Sequence, residues 1–115
     1  MPRKQSRIEF QYIPGCPHAE ETLDNLRRLV CEGLISEEEL VITTAEDPCL
    51  SPRGVFAGSP SVLVDGVDVY TEAEPQGNLY ACRVYSLQGH QSGVLPLEFL
   101  RAQIVKLRGR TTHEQ

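Results

Sequence analysis

The stretch from Ile8 to Val30 constrains this chain most, because a strand, a tight turn and an amphipathic helix follow one another in it. Residues 8–13 alternate apolar and polar side chains, which is typical of a half-buried strand. A Pro-Gly turn breaks this strand, and Cys16 comes directly after the turn. Apolar side chains then recur at helical spacing up to Val30. The sequence therefore predicts one thiol at the N-terminus of a helix, where the helix dipole stabilises a thiolate.

Three further strands are predicted from short apolar runs. Residues 39–44 predict a strand that runs parallel to the first, because a helix connects the two. Residues 61–64 and 67–70 flank an Asp-Gly pair, which is the strongest short signal for a β-hairpin. The chain is therefore expected to combine a parallel βαβ unit with an antiparallel hairpin.

The pattern is weaker in the other segments. A short helix is expected around Pro52–Ala57, and residues 71–95 show no periodicity and predict a long loop of the kind that often binds ligands. Pro96 is expected to open a last helix, and Gly109 is expected to end it.

The length of 115 residues suits one compact domain. We expect this domain to span residues 8–108, with a flexible arm at 1–7 and a flexible tail at 109–115. The net charge is −5, and the basic clusters lie at the two ends, so the basic face that nucleic-acid binding requires is not expected. No apolar signal segment opens the chain, and its apolar runs are shorter than the ~18 residues that cross a bilayer. A cytoplasmic protein without membrane contact is expected.

The four cysteines do not follow a common metal-binding pattern. They are Cys16, Cys31, Cys49 and Cys82, and no Cys-x-x-Cys pair occurs. A structural zinc site usually has paired ligands two to four residues apart, so neither a metal site nor another cofactor is expected. Cys31, at a helix end, and Cys49, in a proline-rich turn, are assigned no role.

Two motifs make this chain resemble the thioredoxin superfamily. Gly-Cys-Pro-His occupies residues 15–18 between the first strand and helix, and Gly-Ser-Pro-Ser at residues 58–61 opens the third strand. In that family the helix-N-terminal cysteine faces a cis-proline, and Pro60 matches that proline by position. The resemblance covers residues 8–108. It implies an α/β fold of the order β-α-β-(α)-β-β-α, with a mixed four-stranded sheet flanked by helices.

The chain departs from this family at the second cysteine of the motif. Two-cysteine members carry Cys-x-x-Cys, whereas Ala19 stands where the resolving cysteine would be. The ordinary dithiol cycle through that motif is therefore excluded. The chain is also similar to small bacterial thioredoxin-like proteins, some loosely labelled alkylmercury-lyase-like. Its Cys-Arg-Val-Tyr at residues 82–85 matches a motif of that set.

The residues and the resemblance together give seven candidate site residues. Cys16 is the expected nucleophile, and Cys82 is a second thiol that resolves a mixed disulfide or shares a soft metal. The five expected to bind substrate are Pro17, His18, Ser59, Pro60 and Arg83. His18 is expected to add positive charge near a thiolate, and Arg83 to stabilise a thiolate or bind an anion. The backbone beside Pro60 is expected to pair with an extended substrate.

Five of these residues also have a structural interpretation. Cys16 suits a small buried apolar position at a strand end, and His18 suits an exposed first helical turn. A trans-proline that merely begins a strand explains Pro60. A loop anchor buried for packing explains Cys82 and Arg83.

Three functions remain open from the sequence. In the leading one Cys16 attacks a protein or glutathione disulfide, and an external thiol or Cys82 resolves the mixed disulfide. In the second, Cys16 and Cys82 handle a soft metal or an organomercurial, since soft cations prefer thiolates. In the third, the chain is a thioredoxin-like binding module without catalytic activity.

Overall fold

A mixed four-stranded sheet carrying two α-helices makes up this α/β structure, a computed structural model that describes residues 7–44 and 55–113. In chain order the elements are β1 (Ile8–Tyr12), α1 (Ala19–Cys31), a 3-10 turn (Glu37–Glu39), β2 (Leu40–Thr44), β3 (Ser61–Val64), β4 (Val67–Asp68), β5 (Tyr85–Leu87), β6 (His90–Ser92) and α2 (Leu97–His113). The strand order in the large sheet is β2-β1-β3-β4, and β5 and β6 form a separate two-stranded sheet.

The central strand β1 sets the register of the large sheet. It pairs in parallel with β2, with Phe10 opposite Ile42, and antiparallel with β3, with Phe10 opposite Val62. The β3 and β4 strands form an antiparallel hairpin in which Val64 lies opposite Val67. The predicted βαβ unit and the predicted Asp-Gly hairpin are both confirmed, although β4 is shorter than expected.

The two faces of β1 are covered differently. Ile8 and Phe10 are buried in one apolar cluster, to which both helices contribute. The buried helix residues in this cluster are Ala19, Leu26 and Leu29 of α1 and Leu100, Ile104 and Leu107 of α2. The alternate residues Glu9 and Gln11 are also buried. The Gln11 amide donates to Glu9 and to the Val55 carbonyl, at 2.9 and 2.7 Å. This second face is therefore a polar one, covered in part by the segment that leads into β3.

The expectation of an irregular loop over residues 71–95 is wrong for its second half. β5 and β6 pair as a hairpin, with Leu87 opposite His90. Its two-residue turn has positive φ at Gln88 and Gly89, the geometry of a type I′ turn. The turn begins with glutamine rather than asparagine or aspartate, so the usual signal for such a hairpin is weak. Tyr85 is buried at the start of this hairpin and fixes it to the core.

The predicted end of the last helix also differs from the structure. Gly109 does not end the last helix, since α2 continues to His113. Arg7, expected in a flexible arm, contacts Asp65 in the turn of the β3–β4 hairpin. The Arg7 N–H donates to the Asp65 carboxylate at 2.9 Å, and the Arg7 carbonyl accepts the N–H of Asp65 at 2.8 Å. Of the helix expected around Pro52–Ala57, residues 52–54 lie outside the described residues and 55–57 form no helix. No helix in the described part of the chain is long and apolar enough to cross a membrane.

Candidate functional site

Cys16 lies half-buried in the turn between β1 and α1. Its backbone N–H donates to the Ile13 carbonyl at 2.9 Å and closes the Pro-Gly turn. His18, the N-terminal cap of α1, makes no side-chain capping hydrogen bond. The backbone N–H groups of His18 and Ala19 donate to the Cys16 sulfur. The Ala19 N–H also donates to the Cys16 carbonyl at 3.3 Å, so it is shared between the oxygen and the sulfur of Cys16.

Ser59 connects this thiol to the start of β3. Its side chain is fully buried, and its Oγ accepts the N–H of Ile13 at 2.9 Å while the hydroxyl donates to the Cys16 sulfur. The Ser59–Pro60 peptide bond is cis, the form that the resemblance implies. The carbonyl of Pro60 accepts a hydrogen bond from the buried Tyr85 hydroxyl.

Cys82 is held beside Cys16 by the backbone of Ser59. The N–H of Ser59 donates to the Ala81 carbonyl at 2.9 Å, and the N–H of Arg83 donates to the Ser59 carbonyl at 2.7 Å. These two bonds form an isolated parallel bridge between Ser59 and Cys82. The Sγ atom of Cys82 lies 3.9 Å from the Sγ atom of Cys16. The structure therefore brings together two thiols that are 66 positions apart.

The two thiols differ in acidity. Burial raises the pKa of Cys16, but hydrogen bonds to its sulfur outweigh burial and lower that pKa below its ordinary value. The donors are the Ser59 hydroxyl, the backbone N–H groups of His18 and Ala19, and the Cys82 thiol. The pKa of Cys82 is raised, because its S–H donates to Cys16 and it faces the Cys16 charge. Cys16 therefore ionises first, and Cys82 keeps its proton.

Arg83 makes its contacts inside the fold. Its guanidinium donates to the Asp68 carboxylate at 2.5 Å and to the Ser61 hydroxyl at 2.7 Å, and lies 4.8 Å from the centre of the Tyr85 ring. The side chains of Arg83 and Asp68 are only 12% and 5% exposed. These contacts favour a structural role for Arg83 over the expected thiolate-stabilising or anion-binding role.

The two residues after Cys16 contribute through position more than through side-chain chemistry. The His18 imidazole packs against Gly93, so closely that a Cβ atom at Gly93 would come within 2.2 Å of the ring. The contact of His18 with the thiol is made by its backbone N–H. Pro17 is exposed in the turn, two residues before the first residue of α1.

The remaining cysteines lie apart from this pair. Cys31 is exposed at the last residue of α1, the opposite end of the helix from Cys16. Cys49 lies outside the described residues. Within residues 7–44 and 55–113, no group of three or more His, Cys, Asp or Glu side chains could hold a metal ion.

Sequence reasoning missed the polar side chains that support the site. Asp68 and Ser61 bind the Arg83 guanidinium, and Asp68 also accepts the N–H of Tyr70 at 2.7 Å. In the sequence Asp68 is an ordinary residue of a hairpin, and an irregular loop separates it from Arg83. No local pattern pairs two such positions, so only the folded chain could reveal this buried ion pair.

Comparison of the chain with models of protein families, with curated proteins and with solved structures gives no match.

Proposed function

We propose that this protein is a thiol–disulfide oxidoreductase of the thioredoxin type, with Cys16 as the nucleophile and Cys82 as the resolving thiol. The observation that carries this proposal is the distance of 3.9 Å between a sulfur of lowered pKa and one of raised pKa. A disulfide bond is about 2.05 Å long, so the two sulfurs need to approach by only about 1.9 Å.

The architecture around the thiols supports the thioredoxin resemblance. The mixed four-stranded sheet, the cysteine in the turn before α1 and the cis-proline just before β3 are features that the resemblance implies. The chain differs in where the second thiol comes from. Ala19 stands in place of a second motif cysteine, and Cys82 comes from a distant loop.

The exchange proceeds in two steps. The Cys16 thiolate attacks one sulfur of the substrate disulfide; a Cys16–substrate bond forms, the substrate S–S bond breaks, and the first thiolate leaves with the electron pair. Cys82 then loses its proton to water and attacks the Cys16 sulfur, which expels the second thiolate. The two protein thiols are oxidised by two electrons, and the substrate disulfide is reduced to two thiols. An external thiol, such as glutathione, reduces the Cys16–Cys82 disulfide for the next cycle.

Trapping the mixed disulfide tests this order of events. In a background with Cys31→Ser and Cys49→Ser, the reduced protein is mixed with hydroxyethyl disulfide and followed by mass spectrometry. The background itself should lose two hydrogens and carry no adduct. Adding Cys82→Ser should leave one adduct on Cys16, because the resolving thiol is absent. Adding Cys16→Ser should slow adduct formation at pH 7 by about tenfold or more, since the remaining thiol is mostly protonated.

Two results would contradict the proposal. One is turnover that continues unchanged in the Cys16→Ser protein. The other is a Cys82→Ser protein that releases its adduct as fast as the background does, without added thiol. Thermal unfolding of each variant checks that the proteins compared are folded.

The same sulfur pair supports soft-metal handling as a second candidate function. A cation about 2.3 Å from each sulfur would see them at an angle of roughly 115°, which leaves room for an external third ligand. Mercury(II) or copper(I) binding to the reduced protein, measured in competition with a chelator, tests this candidate. It predicts one tight equivalent that is lost in either single cysteine variant. Equal binding by the Cys16→Ser/Cys82→Ser protein would contradict it.

A further inference from the structure

The backbone of Ser59 is already paired within the chain, which limits the substrates that can reach Cys16. Residues 81–83 take both its N–H and its carbonyl, the groups that the resemblance assigned to an extended substrate. A polypeptide strand could pair with Ser59 only after this segment leaves. Because Cys82 belongs to the segment, its departure would separate the resolving thiol from Cys16. Strand pairing at Ser59 and resolution by Cys82 are therefore mutually exclusive.

A groove between α1 and the edge strand β2 offers a different approach to Cys16. It has a volume of about 550 Å³ and is open to solvent. Its lining includes Cys16 and the apolar parts of Phe10, Tyr12, Leu23 and Ile42. Ile42 is 36% exposed, which is unusual for a large apolar side chain in this sheet. The groove thus joins the nucleophile to an apolar surface that nothing in the described residues covers.

The two ends of this groove carry different groups. Ala19 lies at the Cys16 end, and Arg27 lies eight positions later on the same helix, about 12 Å along its axis. Arg27 is exposed and has no ion-pair partner within the described ranges 7–44 and 55–113. Glu20 lines the groove near Cys16, where its charge disfavours an anionic group close to the reacting sulfur. The charges favour a ligand with its acid group far from its sulfur.

We infer that the groove binds the apolar body of a small disulfide substrate, with a carboxylate of that substrate at Arg27. The inference rests on the proposed function and names its substrate class: low-molecular-weight disulfides in which an alkyl chain or ring separates sulfur from carboxylate. The chemistry is the exchange already described. The Cys16 thiolate bonds to the substrate sulfur, the carboxyalkyl thiolate leaves with the electron pair, and Cys82 releases the second one.

Exchange rates with matched disulfides test the inference. The probes are the symmetrical disulfides of mercaptopropionate, mercaptohexanoate and the neutral mercaptohexanol, which are all simple alkyl thiols. Each methylene that enters an apolar site contributes up to about fourfold. The two acids differ by three methylenes. If most of this difference enters the groove, the mercaptohexanoate disulfide should oxidise the protein at least tenfold faster than the mercaptopropionate disulfide. It should also react several-fold faster than the mercaptohexanol disulfide, because only the acid binds Arg27.

Three substitutions assign these preferences to the groove. Leu23→Gln should reduce the preference for the longer chain, and Arg27→Gln should remove the preference for the acid over the alcohol. Arg28→Gln is the matched control, since Arg28 is a neighbouring exposed arginine that does not line the groove. The measured quantities are ratios of rates within one protein, so a general loss of thiol reactivity cancels.

The outcomes separate this inference from the proposed function. Oxidation of the Cys16–Cys82 pair at equal rates by all three probes would overturn the groove and leave the exchange activity intact. Faster reduction of a protein disulfide such as that of insulin would also overturn it, because residues 81–83 would then have to leave. No oxidation by any disulfide would refute the exchange activity. In that event the groove is still tested by a ligand that cannot exchange, the redox-inert thioether of mercaptohexanoate. This thioether should protect Cys16 from an alkylating reagent, and absence of protection would overturn the groove proposal.

Discussion

Replacing Ser59 with alanine tests the electrostatic argument for Cys16 most directly. The Ser59 hydroxyl is fully buried and donates to the Cys16 sulfur. A hydrogen bond to a charged group contributes about 1.5–3 kcal/mol, and one pKa unit corresponds to about 1.4 kcal/mol. Because Cys16 is half-exposed, water replaces part of the lost bond, and the lower end of this range applies. We expect Ser59→Ala to raise the pKa of Cys16 by about one unit.

The rate of alkylation by iodoacetamide as a function of pH measures this shift. The protein carries Cys31→Ser, Cys49→Ser and Cys82→Ala, so that Cys16 is the only thiol. Removing Cys82 also removes one donor to Cys16, but both proteins compared share that change. At pH 7 a rise of one unit should lower the thiolate fraction, and with it the alkylation rate, by up to about tenfold.

Ser61→Ala is the matched control for this experiment. Ser61 is a fully buried serine two positions further along the chain, and it binds the Gly58 carbonyl and the Arg83 guanidinium. Its loss should lower the free energy of unfolding and leave the pKa of Cys16 unchanged. The reasoning is refuted if Ser59→Ala leaves that pKa in place, or if the two substitutions shift it equally.

Three further predictions follow from contacts around the site. Asp68→Ala leaves the buried Arg83 cation without its carboxylate, and we expect a loss of about 3 kcal/mol in the free energy of unfolding, measured in urea; a loss below about 1 kcal/mol would contradict the buried ion pair. Gly93→Ala places a methyl group against the His18 ring and should cost about 1–3 kcal/mol in the same assay, whereas a neutral effect would show that the ring moves freely. The rate of mixed-disulfide formation, followed by stopped-flow absorbance, should rise with pH through a midpoint below the ordinary thiol pKa, because the pKa of Cys16 is lowered. In the Cys16→Ser protein this midpoint should move to higher pH, and an unmoved midpoint would exclude Cys16 as the nucleophile.

Local sequence signals predicted the elements that depend on neighbouring residues. The alternation in residues 8–13, the following Pro-Gly turn and the helical apolar face predicted β1, the Cys16 turn and α1, and all three are confirmed. The Asp-Gly pair predicted the β3–β4 hairpin. Each of these signals lies within the few residues whose backbone it controls, so no knowledge of the rest of the fold was needed.

Prediction failed where packing overrides local preference. Gly109 has a weak helix propensity, yet α2 continues past it, because the apolar residues before it are buried in the core. The β5–β6 hairpin has a Gln-Gly turn and a fully exposed second strand, so neither its turn nor its alternation stands out in the sequence. The buried Tyr85 fixes this hairpin through contacts with Pro60 and Tyr70, which are distant along the chain.

The sequence by itself determined that Cys16 lies at the N-terminus of α1, because a strand, a turn and an amphipathic helix follow one another over some twenty residues. Only the tertiary structure decided what stands beside this thiol. The bridge between Ser59 and Cys82 joins a strand start to a loop without regular structure, and backbone hydrogen bonds of that kind leave no trace in residue type. Tertiary structure also decided the role of Arg83. A sequence motif placed Arg83 at the site, but its guanidinium binds the buried Asp68 carboxylate inside the fold. The pKa of a thiol, and which second thiol lies beside it, depend on distances between chain segments. These distances are set by the sheet register rather than by the order of residues.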